Sequence, residues 1–206
     1  MLTSIDKLNL TYVSSNVIEN IVENHQSFPF YFEQVGSILL VDNPIMIDLF
    51  FMEEINGLVI KNYSPFIFPE SESGALAHAP IKEFLKIEKK EDLFKRRDLG
   101  LNKEFSKLLL FLLEELNSKS LGIQITKPSM NLCPSLHHDK LPLRIVQCLD
   151  GPGTTLVSSN GETIETEEND LIFLKGEMWK SDVGPIVHKS PDSSSLRTLF
   201  RIDFLD

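Results

Sequence analysis

Apolar positions along this chain fall into two regimes. Up to about residue 120 they recur at helical spacing in several stretches, whereas over 121–206 they form short runs cut by turn residues. Within 14–24, Val17, Ile18, Ile21 and Val22 share one helical face behind Ser14 or Ser15 as a cap, which predicts a helix. The apolar run over 37–41 is stopped by Asp42, Asn43 and Pro44; 44–54 reads as a short helix and 58–63 as a strand. Three prolines among small polar residues predict a long surface loop over 64–80. The strongest helical pattern spans 102–118, with Asn102 as its cap. Phe105, Leu108, Leu109, Leu112, Leu113 and Leu116 form its stripe, and Leu110 and Phe111 make it apolar nearly all round. Such a helix is expected to be packed between layers, backing a sheet.

The second regime reads as strands. They are expected over 121–126, 144–149, 154–158, 162–166, 170–175, 185–188 and 196–204, with a loop through Pro128 and Pro134. Asp150-Gly151-Pro152-Gly153 is a tight turn, and Ser159-Asn160-Gly161 carries the Asn-Gly signal of a hairpin. Short strands at regular spacing with no helix between them predict antiparallel packing, as a sandwich or a jelly roll. No repeat and no low-complexity linker separates the halves, so one domain over 1–206 is expected: a helix-rich part, 1–120, packed on a β core, 121–206.

Composition narrows the function. With 42% hydrophobic and 24% charged residues the chain is neither disordered nor fibrous. A net charge of −10 repels phosphate backbones, which argues against nucleic-acid binding; Lys95-Arg96-Arg97 reads as a solvated helix end. The region 35–52 is too interrupted by Asp42, Asn43, Pro44 and Asp48 to cross a membrane, and residues 1–7 carry no secretory pattern. Cys133 and Cys148 are too few for a disulfide framework and fit a reducing compartment, so a cytoplasmic location is expected.

Among five histidines, His137 stands two positions before Asp139. On an extended chain these two side chains share a face and His138 points to the other. His188, on a later strand, would complete two imidazoles and a carboxylate, the facial triad of non-haem Fe(II) oxygenases with its open coordination positions. The plain alternative is a loop hydrogen bond between His137 and Asp139 and a surface His188. Cys133, four positions before His137, is a candidate fourth ligand of a zinc site, or else a small residue fixing the loop with Pro134. Arg197 lies nine positions after His188, and Arg201 four further on the same face. Either guanidinium could grip a carboxylate ligand, or pair with Asp203 or Asp206. Arg144 lines a pocket or pairs on the barrel exterior; its spacing leaves both open. Lys175 and Glu177 are placed to pair with each other, and Trp179 to line a pocket mouth or join the core.

Several runs occur in a characteristic order: Cys133-Pro134-Ser135-Leu136-His137-His138-Asp139; Gly151-Pro152-Gly153-Thr154; Leu174-Lys175-Gly176 with Trp179; His188-Lys189-Ser190-Pro191; then Arg197. This resembles a bacterial family known only as a domain of unknown function, with a CPxxHxD, GPGT, LKGxxW, HxSP pattern. More remotely, the same half is similar to the core of iron- and 2-oxoglutarate-dependent dioxygenases of the prolyl-hydroxylase type. That resemblance implies an α+β, mainly β fold: a double-stranded β-helix (jelly roll, cupin-like) with N-terminal flanking helices. It implies Fe(II) on His137, Asp139 and His188, and 2-oxoglutarate with its far carboxylate on Arg197 and Arg144 nearby. Cys133, Thr155, Arg201 and Trp179 are further candidates around the site. The substrate, a small molecule or a peptide, is not implied. The alternatives are a zinc-binding cupin-like protein of metal handling and a degenerate interaction module. The loop over 64–80 is a candidate lid.

Overall fold

A computed structural model of the protein describes residues 32–35, 38–41, 56–66, 85–87, 100–101, 103–126, 128, 133–180, 182–193 and 195–206. The helices expected over 14–24 and 44–54, most of the loop over 64–80, the cap Asn102, His25, His78 and Lys95-Arg96-Arg97 lie outside these residues.

The described strands are β1 (Phe32–Val35), β2 (Ile38–Val41), β3 (Gly57–Ile60), β4 (Leu85–Ile87), β5 (Ser120–Ile125), β6 (Leu143–Asp150), β7 (Thr155–Val157), β8 (Thr163–Glu165), β9 (Leu171–Lys175), β10 (Val187–Lys189) and β11 (Thr198–Leu205), with helix α1 (Lys103–Glu115) before β5. They form an eight-stranded sheet, in the order β1-β2-β3-β9-β6-β11-β5-β4, and a three-stranded sheet, β10-β7-β8. Every neighbouring pair is antiparallel except β2 with β3. Mostly antiparallel sheets are what the apolar runs over 121–206 predict; of the helices expected over 1–120, only the one over 102–118 falls within the described residues, as α1.

Alternation along the strands of the large sheet sorts its side chains onto two covered faces. On one, Leu143, Ile145, Phe173, Phe200 and Ile202 pack with Phe105, Leu109 and Leu112 of α1. On the other, Val146, Cys148, Ile172, Leu174 and Leu199 meet Leu156 and Ile186, with Ile164 against them, beneath the small sheet. A strand covered on both faces needs apolar residues throughout, and all five residues of β9 are buried. Helix α1 presents only one face to the core: Phe111 is 40% exposed, so the helix backs a single layer rather than lying between two. Asn117, at φ 50°, ends it in the left-handed conformation, and Ser118 N–H closes on the Leu113 carbonyl.

Strand β3 ends at Ile60, short of the expected 58–63. Lys61 and Asn62 turn away, with Asn62 at φ 48°, because both bond the buried Asp170 carboxylate. Strands β1 and β4 carry no clear signal in the sequence: Phe-Glu-Gln-Val mixes polar residues with apolar ones, and Leu-Lys-Ile is three residues long. Among the described residues, no helix is long and apolar enough to cross a membrane.

Two substitutions on α1 test the one-sided packing. Leu109→Ala, at a fully buried position, is expected to cost about 2–5 kcal/mol of stability. Phe111→Ala is expected to cost under about 1 kcal/mol. Urea unfolding of both variants measures the difference; equal losses would mean that both faces are covered.

Candidate metal centre

His137 and His188 are joined by a reciprocal pair of backbone hydrogen bonds, His137 N–H to the His188 carbonyl at 3.0 Å and the reverse at 2.9 Å. Directly opposed residues of an antiparallel pair project to one side, so the bridge sets the two imidazoles together, their ring centroids 4.4 Å apart. The same contact continues two residues away. Ser190 N–H donates to the Cys133 carbonyl at 2.7 Å, and Cys133 N–H donates to Ser190 Oγ at 3.1 Å. The CPxxH and HxSP runs are thus two sides of one seam.

Asp139 follows on the same face as His137. Its Oδ2 lies 3.5 Å from His188 Nε2 and its Oδ1 4.0 Å from His137 Nε2. The three residues offer ligand atoms all within 4.8 Å of one another. Asp139 Oδ2 is buried with no hydrogen-bond partner, an orphaned acceptor that a cation between the imidazoles would satisfy. His137 Nδ1 donates to the Ser135 carbonyl at 2.9 Å, which orients the ring with Nε2 toward Asp139. Burial pushes the His188 pKa down to about 4, with Asp139 opposing the shift and His137 adding to it. His188 is therefore uncharged at neutral pH, as a metal ligand must be.

The turn after β9 fixes the loop that carries Asp139. Gly176 N–H donates to the Pro142 carbonyl, Glu177 N–H to that of Asp139 at 2.9 Å, and Met178 N–H to that of Leu141. A Cβ on Gly176 would run into the Leu141 carbonyl oxygen, which explains the glycine of the LKGxxW run. His138 faces outward and bonds Glu177, so it stands apart from the triad, as strand alternation predicts. Glu177 consequently does not pair with Lys175. The latter is fully buried on the α1 side, its Nζ 5.4 Å from the Trp179 ring centroid.

Arg144 lies on the inner face with Val146 and Cys148. Its Nη1 donates to Asp139 Oδ1 at 2.5 Å; Nε and Nη2 donate to the two oxygens of Asp203 at 2.6 and 3.2 Å. Burial opposes its charge, but the Asp203 carboxylate outweighs that and holds its pKa above the ordinary arginine value. Arg201 continues the line, with Nε 3.3 Å from Asp203 Oδ2 and Nη2 donating to Gln124 Oε1 at 2.9 Å. In the sequence Asp203 stands out only as a partner of the β11 arginines. Its parity with Arg201 on β11 is the available signal, and its pairing opposite Arg144 is not visible there.

Arg197 is buried, donating Nη1 to the Gly153 carbonyl and Nη2 to Thr154 Oγ1 at 3.2 Å. Its Nε has no partner, and among the described residues no carboxylate pairs with it; burial holds its pKa down. Gly151, at φ 96°, packs so closely that a Cβ would enter the Leu196 carbonyl oxygen. The GPGT turn and Arg197 are therefore one packed unit.

The family model for proteins of unknown function DUF1826 matches residues 68–203. The chain belongs to this family. No curated protein matches it. Among solved structures, it is similar to dioxygenase for auxin oxidation 1 from Arabidopsis thaliana in complex with 2-oxoglutarate, at 15% identity over 59% of this chain and 61% of that one, TM-score 0.40. It is also similar to a Pseudomonas putida prolyl-4-hydroxylase, at 13% identity over 49% of this chain and 61% of that one, TM-score 0.38. A third is a full-length Neurospora crassa protein in complex with alpha-KG and 5-formyluracil, at 12% identity over 76% of each chain, TM-score 0.43. The chain spans 61% of the length of the first two.

The remaining candidates of this DUF1826 member sit apart from the triad. Cys133 is exposed, and the cluster of ligand atoms does not include it. Thr155 donates its hydroxyl to Glu165 Oε2 at 2.8 Å. Trp179 packs on the α1-side core and lines a cavity of about 570 Å³ with Glu115, Met178 and Asp206, away from the ligand cluster. Both cysteines are free.

The depressed pKa of His188 fixes the sign of a pH effect. Unfolded, His188 titrates near 6.5; folded, at about 4, so between those values the unfolded chain binds the additional proton. Metal-free protein is expected to lose stability as pH falls from about 6.5 toward about 4, and His188→Asn to flatten that slope. Urea midpoints across the range check this. A slope unchanged in the variant would assign the effect to another group.

Proposed function

We propose that this chain is a non-haem Fe(II)- and 2-oxoglutarate-dependent oxygenase, with residues 1–206 as one domain and the two facing sheets as its jelly-roll core. The observation that carries the reading is the combination of an orphaned Asp139 Oδ2 beside two imidazoles with a buried Arg197 that no carboxylate pairs among the described residues. Two imidazoles and a carboxylate suit Fe(II) and leave positions open for further ligands. A buried guanidinium with an unpartnered Nε is costly alone and calls for an anion, which a dicarboxylate cosubstrate supplies. Zinc in a four-ligand shell gains no support, because Cys133 stands outside the cluster.

Each residue then has a duty. His137, locked through Nδ1 to the Ser135 carbonyl, presents Nε2; His188, kept neutral by burial, presents its own. Asp139 presents Oδ2, and Arg197 receives the far carboxylate of 2-oxoglutarate through a charge-assisted bond. Fe(II) with 2-oxoglutarate supplies the oxidative chemistry with dioxygen, which no side chain here provides. Leu156, directly opposite His188 across the β10–β7 ladder, gives that histidine an apolar neighbour. The substrate is a small molecule or a peptide, the charge of −10 argues against nucleic acid, and two free cysteines fit a soluble protein of the reducing cytoplasm.

Anaerobic addition of Fe(II) and then 2-oxoglutarate, watched for the weak visible charge-transfer band of the chelate, tests the reading. His137→Ala, Asp139→Ala and His188→Ala are each expected to abolish stoichiometric Fe(II) binding, whereas His138→Ala retains it. No band in the wild type, or equal loss in His138→Ala, would sink the assignment.

Arg197→Ala is expected to keep its iron and to bind 2-oxoglutarate about ten- to a hundredfold more weakly, roughly 1.5–3 kcal/mol. Calorimetry on the iron-loaded protein measures it. Identical affinity in the variant would remove Arg197 from the cosubstrate site.

A further inference from the structure

A carboxylate can hold a metal through one oxygen or chelate it through both, and the choice decides how many coordination positions remain for other ligands. We infer that Arg144, anchored on Asp203, holds Asp139 to one-oxygen ligation and so keeps those positions open. The inference rests on the metal reading given above.

Three observations carry it. Asp139 Oδ1 is engaged by Arg144 Nη1 at 2.5 Å, a short charge-assisted bond, while Oδ2 is buried and partnerless beside His188 Nε2. The two oxygens are thus already assigned different work. Secondly, Arg144 is not free to follow Asp139 toward a metal. Its Nε and Nη2 form a two-pronged pair with Asp203, which stands directly opposite it across the β6–β11 ladder. Thirdly, Asp203 also forms an ion pair with Arg201, whose Nε lies 3.3 Å from Oδ2 and whose Nη2 bonds Gln124 on β5. The side chain of Asp139 is therefore braced through four residues on three neighbouring strands, and its backbone separately through Glu177 N–H. Arg144 and Asp203 are positioning residues: they act on the metal through Asp139.

Without the brace, Asp139 could rotate to offer both oxygens. The metal would be held no less tightly, yet one position for exchangeable ligands would be lost. The test counts bound water. Mn(II), a paramagnetic stand-in for Fe(II), is added to saturation to the full chain, and the water-proton relaxation enhancement per bound ion is measured. Arg144→Met is expected to lower that enhancement by about a third, the loss of one of three open positions on a six-coordinate ion with three protein ligands. Arg144→Lys, which keeps a donor, retains most of it, and Asp203→Asn falls between. A merely structural role would lower the melting temperature or the fraction of Mn(II) bound and leave the enhancement per bound ion untouched. Unchanged enhancement in Arg144→Met overturns the inference while leaving the metal reading intact. If Arg144→Met does not fold, unchanged enhancement in Asp203→Asn does the same. A wild type that binds no Mn(II) overturns the metal reading, and this inference with it.

Discussion

The backbone bridge between His137 and His188 is the contact on which the candidate site depends. A pair of reciprocal N–H to carbonyl bonds fixes not only distance but facing, because opposed residues of an antiparallel pair must project to one side. Once that is set, Asp139 two residues on falls beside both rings by strand parity alone. Ser190 with Cys133 extends the seam in one direction, and the turn at Gly176 clamps the loop carrying Asp139 in the other. Ser190 and Gly176 are thereby accounted for by backbone approaches, whereas His137, Asp139 and His188 supply the candidate ligand atoms.

The large sheet separates two kinds of interior. Toward α1 it is almost wholly apolar, and that side holds the fold together through Phe105, Leu109 and Leu112 against the strands. Toward the small sheet the apolar cluster shares its face with a charged line, Arg144, Asp203 and Arg201, of alternating sign. Charges are tolerated there because each lies beside one of opposite sign, whereas Arg197, whose Nε is without a hydrogen-bond partner, has no carboxylate beside it among the described residues.

Much of this is legible in the amino-acid order. Strands β5 to β11 announce themselves because they alternate, or run continuously apolar where both faces are covered, between unmistakable turns; the Asn-Gly hairpin between β7 and β8 is an example. The pairing of His137 with Asp139 follows from their spacing. What spacing does not carry is which strand lies next to which. Arg144 can be given a parity but not a face, since only the β6–β11 register puts it opposite Asp203 and within reach of Asp139. Proximity along the chain matches Glu177 to Lys175, yet the turn after β9 swings Glu177 to His138 and leaves Lys175 beneath Trp179. Strand β4 is too short for its three residues to show a period at all.

The bridge also bears on how the molecule forms. His137 and Asp139 precede β6, while His188 follows β9, so the ligand set is closed by a contact between segments about fifty residues apart. Contacts of such sequence separation cost loop entropy before they return any enthalpy, and they belong to the later stages of chain organisation. A collapsed intermediate with α1 docked on a partly paired sheet would hold two of the ligands and lack the third. Metal capture by the complete triad would therefore mark a chain whose topology is closed, and the order in which contacts are made would disfavour premature loading.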